Sequence, residues 1–137
     1  MAYWLFKSEP GAYSWDTLVK DKRTNWSGVR NYQANNNMKA MKKGDRGFFY
    51  HSVNEKDIVG VVEVVKEHYP DDSDATGRFG MVDVKAVMPV KTRVNLAAIK
   101  AEPELEGLAL VRQSRLSVVP VSAKEWKILC RMAGVPA

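Results

Sequence analysis

The side chains of this chain that could do chemistry are concentrated in residues 26–36, where aromatic, amide, hydroxyl and basic groups follow one another. Trp26 could stack a base on its indole face, the amide of Asn31 could read the edge of that base, and Arg30 could hold a phosphate. The alternative is structural, with Trp26 and Tyr32 in a core and Asn31 as a helix N-cap. The residues of this segment leave both interpretations open.

Catalytic chemistry has less support in the sequence. His51 and Ser52 are neighbours on a predicted strand, so their side chains leave on opposite faces and cannot form a nucleophile and its base. The sequence contains neither a Gly-rich phosphate loop nor a G-x-S-x-G motif. One cysteine, Cys130, and two histidines offer no cluster of metal ligands. We therefore expect a binding protein without a cofactor or a metal, rather than an enzyme.

The charge distribution favours a polyanionic partner. The formal net charge is +5, and residues 1–50 contain nine Lys or Arg against four Asp or Glu, so the whole excess lies in this segment. Such an asymmetry attracts nucleic acid. The alternative is that these cations are solvated helix ends and turns. We expect the basic residues of segment 1–50 to surround the mouth of a binding site.

The elements that must position these residues include several strands. Apolar side chains that alternate with polar ones, or form short runs, predict strands at residues 2–8, 46–52, 58–68, 81–91 and 115–121. Pro70, Gly77 and several aspartates predict a loop over residues 69–80. Residues 105–111 fit no single type of element.

Helical spacing and capping residues predict four helices. Ser14 is expected to cap the first, residues 31–41 and 95–100 form the next two, and a capping box of Ser122 and Glu125 begins the last. The side chains that the first helix should bury are Trp15, Leu18 and Val19. Strands with helices inserted early and late predict an α+β fold around a strongly bent sheet or small barrel. The regular alternation that a doubly wound parallel sheet needs is absent.

Length and hydropathy indicate one soluble domain spanning residues 1–137. The sequence has no apolar run near the ~20 residues of a membrane helix, so we expect no membrane association. Charged Lys7 and Glu9 lie in the first ten residues, which lack the order of regions found in a signal peptide. A cytoplasmic location is therefore expected.

Several motifs of the chain resemble one known family. The matching segments, in order, are residues 4–10 (WLFKSEP), 26–36 (WSGVRNYQANN), 48–52 (FFYHS), 81–84 (MVDV) and 115–118 (RLSV). They resemble the EVE domain, a member of the PUA-like superfamily, over essentially the whole chain. The resemblance implies a bent, mixed, barrel-like sheet flanked by helices, in agreement with the fold class predicted from the residues. It also implies a reader of modified bases in DNA or RNA, similar in fold to YTH domains, which hold a methylated adenine in an aromatic cage.

The resemblance assigns roles by position. Trp26 matches a cage aromatic, and Lys7, Ser8 and Glu9 lie on the strand beside the pocket. Phe79 stands where many EVE sequences have Trp, which leaves a smaller wall without an indole N–H.

We accordingly expect a base, modified cytosine for example, to enter a pocket between Trp26 and Phe79. Its edge would be bonded by Ser8, Ser27 or Asn31, and replacement of Trp26 by Ala should leave the protein folded but unable to bind. Further residues expected at the edge of the pocket are Tyr32, Tyr50, His51 and Ser52. The residues expected to contact phosphates are Arg30, Arg112 and Arg115.

Two other functions stay open. An enzyme on the same scaffold, acting on a nucleotide or RNA, would use a carboxylate or histidine in the pocket, for which Glu9 and His51 are available. An interaction module would bind a small molecule or peptide, and would be favoured by scattered basic residues and a shallow pocket. The sequence decides neither between DNA and RNA nor which modification is read.

Overall fold

The structure, a computed structural model, describes residues 1–53 and 55–137. Within these residues it contains six strands, five α-helices and one 3₁₀ turn. In chain order they are β1 (Tyr3–Ser8), α1 (Trp15–Asp21), β2 (Arg23–Asn25), α2 (Tyr32–Ala40), β3 (Arg46–His51), β4 (Asp57–Pro70), β5 (Gly80–Asn95), α3 (Leu96–Ala101), the turn Pro103–Leu105, α4 (Ala109–Arg112), β6 (Val118–Val121) and α5 (Ala123–Ala133).

The strands form one mixed sheet in the order β2-β5-β4-β3-β1-β6. β1 and β3 are parallel, with Lys7 opposite Tyr50 and Ser8 opposite His51, whereas the other neighbours are antiparallel. The long β4 and β5 strands shift register at several points, and such bulges bend a sheet. The predicted fold class, α+β around a strongly bent mixed sheet, is confirmed.

Both faces of the central strands are covered. Phe48 and Phe49 are consecutive residues of β3 and are both fully buried, although their side chains leave on opposite faces. On one face Phe48 stacks on Trp126 of α5 at 4.2 Å between ring centroids. On the other face Phe49 meets the edges of Trp15 and Trp26. The core on this second face of the sheet therefore contains aromatic side chains from the first half of the chain.

The helix boundaries follow the capping residues. Side chains of Ser14 and Asn95 accept hydrogen bonds from the first turns of α1 and α3, as predicted. Asn31 does the same for α2, which is the structural one of its two interpretations. Both bonds of the Ser122 capping box are present at α5, which ends at Gly134 in the left-handed conformation.

Some element predictions were wrong in detail. Val19 is 50% exposed, because α1 turns only Trp15 and Leu18 toward the sheet. The edge strand β2 was not predicted, and β6 begins at Val118, three residues later than the predicted strand. Of residues 105–111, Leu105 ends the 3₁₀ turn, residues 106–108 belong to no helix or strand, and the last three lie in α4. In the part of the chain that the structure describes, no helix is long and apolar enough to cross a membrane.

Candidate functional site: a pocket beside Trp26

A pocket of about 350 Å³ opens where β1 ends and β2 runs into the following loop. We call it the Trp26 pocket. Its lining residues are Lys7, Ser8, Glu9, Ala12, Tyr13, Thr24, Asn25, Trp26 and Ser27. The structure thus brings five of the expected site residues together, from segments of the chain that are far apart in sequence.

Backbone contacts on both sides fix the loop that carries Trp26. The Trp26 N–H donates to the carbonyl of Val82 in β5 at 2.8 Å. Two residues later the Gly28 N–H donates to the Asp71 carboxylate at 2.8 Å, and Gly28 has φ +83°, a conformation that strains other residues. Asn31 then caps α2. This short loop is therefore held at its start, middle and end.

Trp26 belongs to both the core and the pocket. Its side chain is only 8% exposed, and its ring meets the edges of Phe6 at 5.1 Å and Phe49 at 5.7 Å between centroids. Trp26 is at the same time one of the residues that line the pocket. The structural interpretation of Trp26 as a core residue is therefore confirmed, and its place in the pocket lining leaves the binding interpretation as a prediction.

Tyr13 is a pocket residue that the sequence did not indicate. It lies in the turn between β1 and α1, where its N–H donates to the Glu9 carbonyl and its own carbonyl accepts from the Ser8 hydroxyl. Its phenol donates to Asp21 at 3.0 Å. Burial raises the pKa of Tyr13, so the ring stays a neutral phenol. No helical or strand pattern includes this residue, and its place is defined only by the turn.

Lys7 lines the pocket and belongs to no ion pair among the described residues. Its ammonium donates to the Ser114 carbonyl at 2.9 Å. Partial burial lowers the pKa of Lys7, because it penalises the charged form.

Phe79 does not line the Trp26 pocket, contrary to the two-wall arrangement expected from the sequence. Its ring lies 5.0 Å from Tyr32, which is itself 59% exposed, and 5.9 Å from the guanidinium carbon of Arg30. The reason is the length of the hairpin, since β4 and β5 stay paired as far as Pro70 and Gly80. The loop that holds Phe79 is consequently placed against the start of α2.

Arg30 forms hydrogen bonds with the loop between β4 and β5. It bonds Ser73 at 3.0 Å and Asp71 at 3.4 Å, and Asp71 is buried. Burial tends to raise the pKa of Asp71, but hydrogen bonds from Ser73, Gly28 and Arg30 outweigh it and hold that pKa below the usual value. The charge of Arg30 is thus largely balanced within the protein.

His51 is buried rather than at the edge of a pocket. The backbone N–H of Trp15 donates to its Nε2 at 3.0 Å, which places the ring proton on Nδ1, 2.9 Å from Glu55. The hydrogen bond with His51 and the charge of Arg93 hold the pKa of Glu55 below its usual value. His51 therefore satisfies the first N–H of α1, a structural role. No group of three His, Cys, Asp or Glu among the described residues could hold a metal ion.

The other expected residues line two neighbouring depressions. Tyr50 and Ser52 lie in one of them together with Lys7, and burial, followed by the charge of Asp57, raises the pKa of Tyr50 to about 12. The second, which we call the arginine depression, measures about 310 Å³. Its polar lining residues are Asn31, Gln33, Arg112, Gln113, Ser114 and Arg115.

The charge distribution predicts that the basic residues of segment 1–50 surround the mouth of the binding site, but most of them do not line the Trp26 pocket. Lys7 is the member of that set that lines it. The three arginines of the segment pair with acids across the sheet or in the loop after β4. These pairs are Arg23–Asp83, Arg30–Asp71 and Arg46–Glu63.

The chain is similar in sequence and fold to several proteins of known structure. It is 54% identical to a Rhodopseudomonas palustris protein of known structure, with a TM-score of 0.92 and coverage of 98% of this chain and 94% of that one. It is 32% identical to the human THYN1 protein in a crystal structure with DNA containing 5-methylcytosine, with a TM-score of 0.89 and full coverage of both chains. A YTH domain from Zygosaccharomyces rouxii, at 18% identity and a TM-score of 0.57, shares the fold.

Sequence relatives lead to the same family. The chain is 35% identical to chicken thymocyte nuclear protein 1 over 90% of its own length, and it spans 65% of that longer protein. The family model for the EVE domain matches residues 2–132. The chain therefore belongs to the EVE domain family.

Proposed function

We propose that the Trp26 pocket binds a modified base of a nucleic acid, with 5-methylcytosine as the first base to test. The observation that carries the proposal is the concave pocket with two aromatic residues, Tyr13 and Trp26, in its lining. The human relative whose crystal structure contains 5-methylcytosine DNA supports it, since the two chains match over their full length.

The pocket offers the groups that a cytosine would use. Trp26 and Tyr13 provide aromatic surface for a base that has left its stack. Carboxylates accept from the N4 amino group of cytosine, and Glu9 lines the pocket. The Ser8 hydroxyl donates to the Tyr13 carbonyl, and its lone pairs can accept a hydrogen bond from the base. Lys7 would meet the backbone of the strand beside the bound base.

Recognition of the methyl group alone would be modest. One buried methyl contributes about 1 kcal/mol by transfer, which corresponds to roughly tenfold discrimination or less. Stronger selectivity would require that the hydrogen bonds at Glu9 and Ser8 be made only when the modified base sits fully in the pocket.

The two alternative functions receive less support. The enzyme hypothesis relied on Glu9 or His51, and both ring nitrogens of His51 are engaged in hydrogen bonds away from the pocket. The hypothesis of an interaction module gains from the scattered basic residues of segment 1–50. It does not account for aromatic rings and a carboxylate in the same pocket.

The experiment is a binding titration with matched oligonucleotides that carry cytosine or 5-methylcytosine, as single and double strands of DNA and RNA. We expect tighter binding to one methylated form. Equal affinity for every methylated and unmethylated pair would contradict the proposal.

Two variants test the geometry of the pocket. Replacement of the partly buried Tyr13 by Ala should leave the protein folded and weaken binding by about 1–3 kcal/mol, the loss expected for one base stack. Phe79→Ala should leave affinity close to that of the parent, because Phe79 lies against Tyr32 outside the pocket. Loss of binding by the Phe79 variant alone would restore the arrangement expected from the sequence.

A further inference from the structure

The arginine depression has a composition that suits a nucleotide. It carries two cations, Arg112 and Arg115, and no carboxylate among its lining residues. Neither arginine belongs to an ion pair within the described part of the chain, and Arg112 uses only its Nε, which donates to the Glu106 carbonyl. Their charges are therefore available to a ligand, unlike those of the paired arginines Arg23, Arg30 and Arg46.

Two primary amides accompany these arginines. Gln33 comes from the first turn of α2 and Gln113 from the end of α4, and both are exposed. Across residues 1–53 and 55–137 neither side-chain amide makes a hydrogen bond. Side-chain amides with both donors and acceptors free can read the edge of a base, and they match adenine best.

The arginine depression and the Trp26 pocket are adjacent. Lys7 lines the pocket, and its ammonium bonds the carbonyl of Ser114, which lines the depression. A strand whose base occupied the Trp26 pocket would therefore pass Lys7 and place its next nucleotide at the depression.

We propose that the arginine depression is a second nucleotide subsite, which reads the base next to the modified one. Arg112 and Arg115 hold the phosphate of this flanking nucleotide, and Gln33 and Gln113 bond the edge of its base, with adenine preferred. The protein would then recognise a modification within a sequence context. This inference rests on the proposed function of the Trp26 pocket.

The test uses oligonucleotides with one central 5-methylcytosine and each of the four bases in turn on its 5′ or 3′ side. For the parent protein we expect a preference for adenine on one side, on the order of 5- to 100-fold. The double variant Gln33→Ala, Gln113→Ala should lose most of this preference while its ratio of affinities for methylated and unmethylated strands stays unchanged. Asn36→Ala is the matched control, because Asn36 is an exposed amide of the same helix that lines neither site.

The phosphate contacts have a separate readout. Arg112→Gln and Arg115→Gln should each weaken binding to all sequences alike and reduce the salt slope of log affinity by about 0.7–0.9. Arg131→Gln, an exposed arginine of α5, should change neither quantity.

The outcomes separate the two proposals. If methylation alters affinity but the flanking base does not, the second subsite is wrong and the Trp26 pocket stands. A second outcome is that the flanking base alters affinity, that the double glutamine variant abolishes this effect, and that methylation does not alter affinity. In that case the subsite stands and the proposed function is wrong. An unchanged preference in the double glutamine variant would overturn the subsite directly.

Discussion

At the scale of single residues, the dual position of Trp26 changes what its replacement should do. The sequence predicted that Trp26→Ala would stay folded, but the indole is 8% exposed and meets Phe6 and Phe49. Removing it leaves a cavity in the core, so we expect the free energy of unfolding to fall by about 3–5 kcal/mol in addition to the loss of binding. Trp26→Phe should retain most of the stability and part of the affinity. Chemical denaturation and oligonucleotide titration measure the two effects, and unchanged stability of the Ala variant would place Trp26 outside the core.

Replacement of His51 should lower stability without affecting binding, unlike replacement of Trp26. Its Nε2 is the acceptor for the buried N–H of Trp15, so His51→Phe leaves that donor without a partner. We expect the free energy of unfolding to fall by about 1–3 kcal/mol, measured by urea denaturation. Binding of methylated oligonucleotides by the folded fraction should persist, because the ring does not line the Trp26 pocket. A stable His51→Phe variant that no longer binds would instead show that His51 takes part in the site.

At the scale of elements, the Trp15 side chain of α1 lies so close to β4 that only glycine fits at position 60. A Cβ on Gly60 would overlap ring carbons of Trp15. Gly60→Ala must therefore displace the indole or the strand, which should cost about 1–3 kcal/mol of unfolding free energy. Gly107→Ala is the control, since no atom lies within 4 Å of its added Cβ. Equal melting temperatures for the two variants would contradict this contact.

The loop between β4 and β5 should make stability depend on pH. The folded-state pKa of Asp71 lies below the ordinary 3.8, so its stabilisation is complete above that pH and is lost as the pH falls through the folded value. Asp74 acts in the same direction, because hydrogen bonds from Thr76 and Phe79 lower its pKa to about 2. The parent should therefore lose unfolding free energy below about pH 4.

Asp71→Asn tests this dependence. At pH 7 it should lower the unfolding free energy by about 1.5–3 kcal/mol, since the buried carboxylate accepts several hydrogen bonds. Its stability should then change less than that of the parent between pH 4 and pH 2. Denaturation curves at several pH values provide the comparison, and parallel pH profiles for both proteins would show that Asp71 is not the group responsible.

Elements with local signals could be predicted from the sequence, and those defined by distant partners could not. The Ser122 capping box and the caps at Ser14 and Asn31 each depend on a few consecutive residues. β2 has only three residues and exists because they pair with residues 83–85 of β5. The site follows the same division. The place of Trp26 beside a pocket was predicted from its motif. Tyr13 lies in the pocket lining because of a turn, and Phe79 lies outside it because the β4–β5 hairpin is long, and neither feature has a local sequence signal.

At the scale of the whole molecule, net charge is a poor measure of the surface that would meet nucleic acid. The formal charge is +5, with all of the excess in residues 1–50. The arginines of that segment pair with acids, while the unpaired cations beside the two sites are Lys7, Arg112 and Arg115. Two of these three come from the half of the chain whose charges cancel. Most of the cations that line the two sites therefore come from outside the basic segment.

The salt dependence of binding tests this footprint. Three cations that neutralise three phosphates give a slope of log affinity against log salt of about −2 to −3, at 0.7–0.9 per contact. Lys43→Gln, in the basic segment but outside both sites, should leave the slope unchanged, whereas Lys7→Gln should reduce it by about one contact. The opposite outcome is a parent slope of about −5 that becomes less steep in Lys43→Gln. It would show that the strand crosses the basic segment, because a lysine contributes to the slope only when it contacts a phosphate and releases counterions.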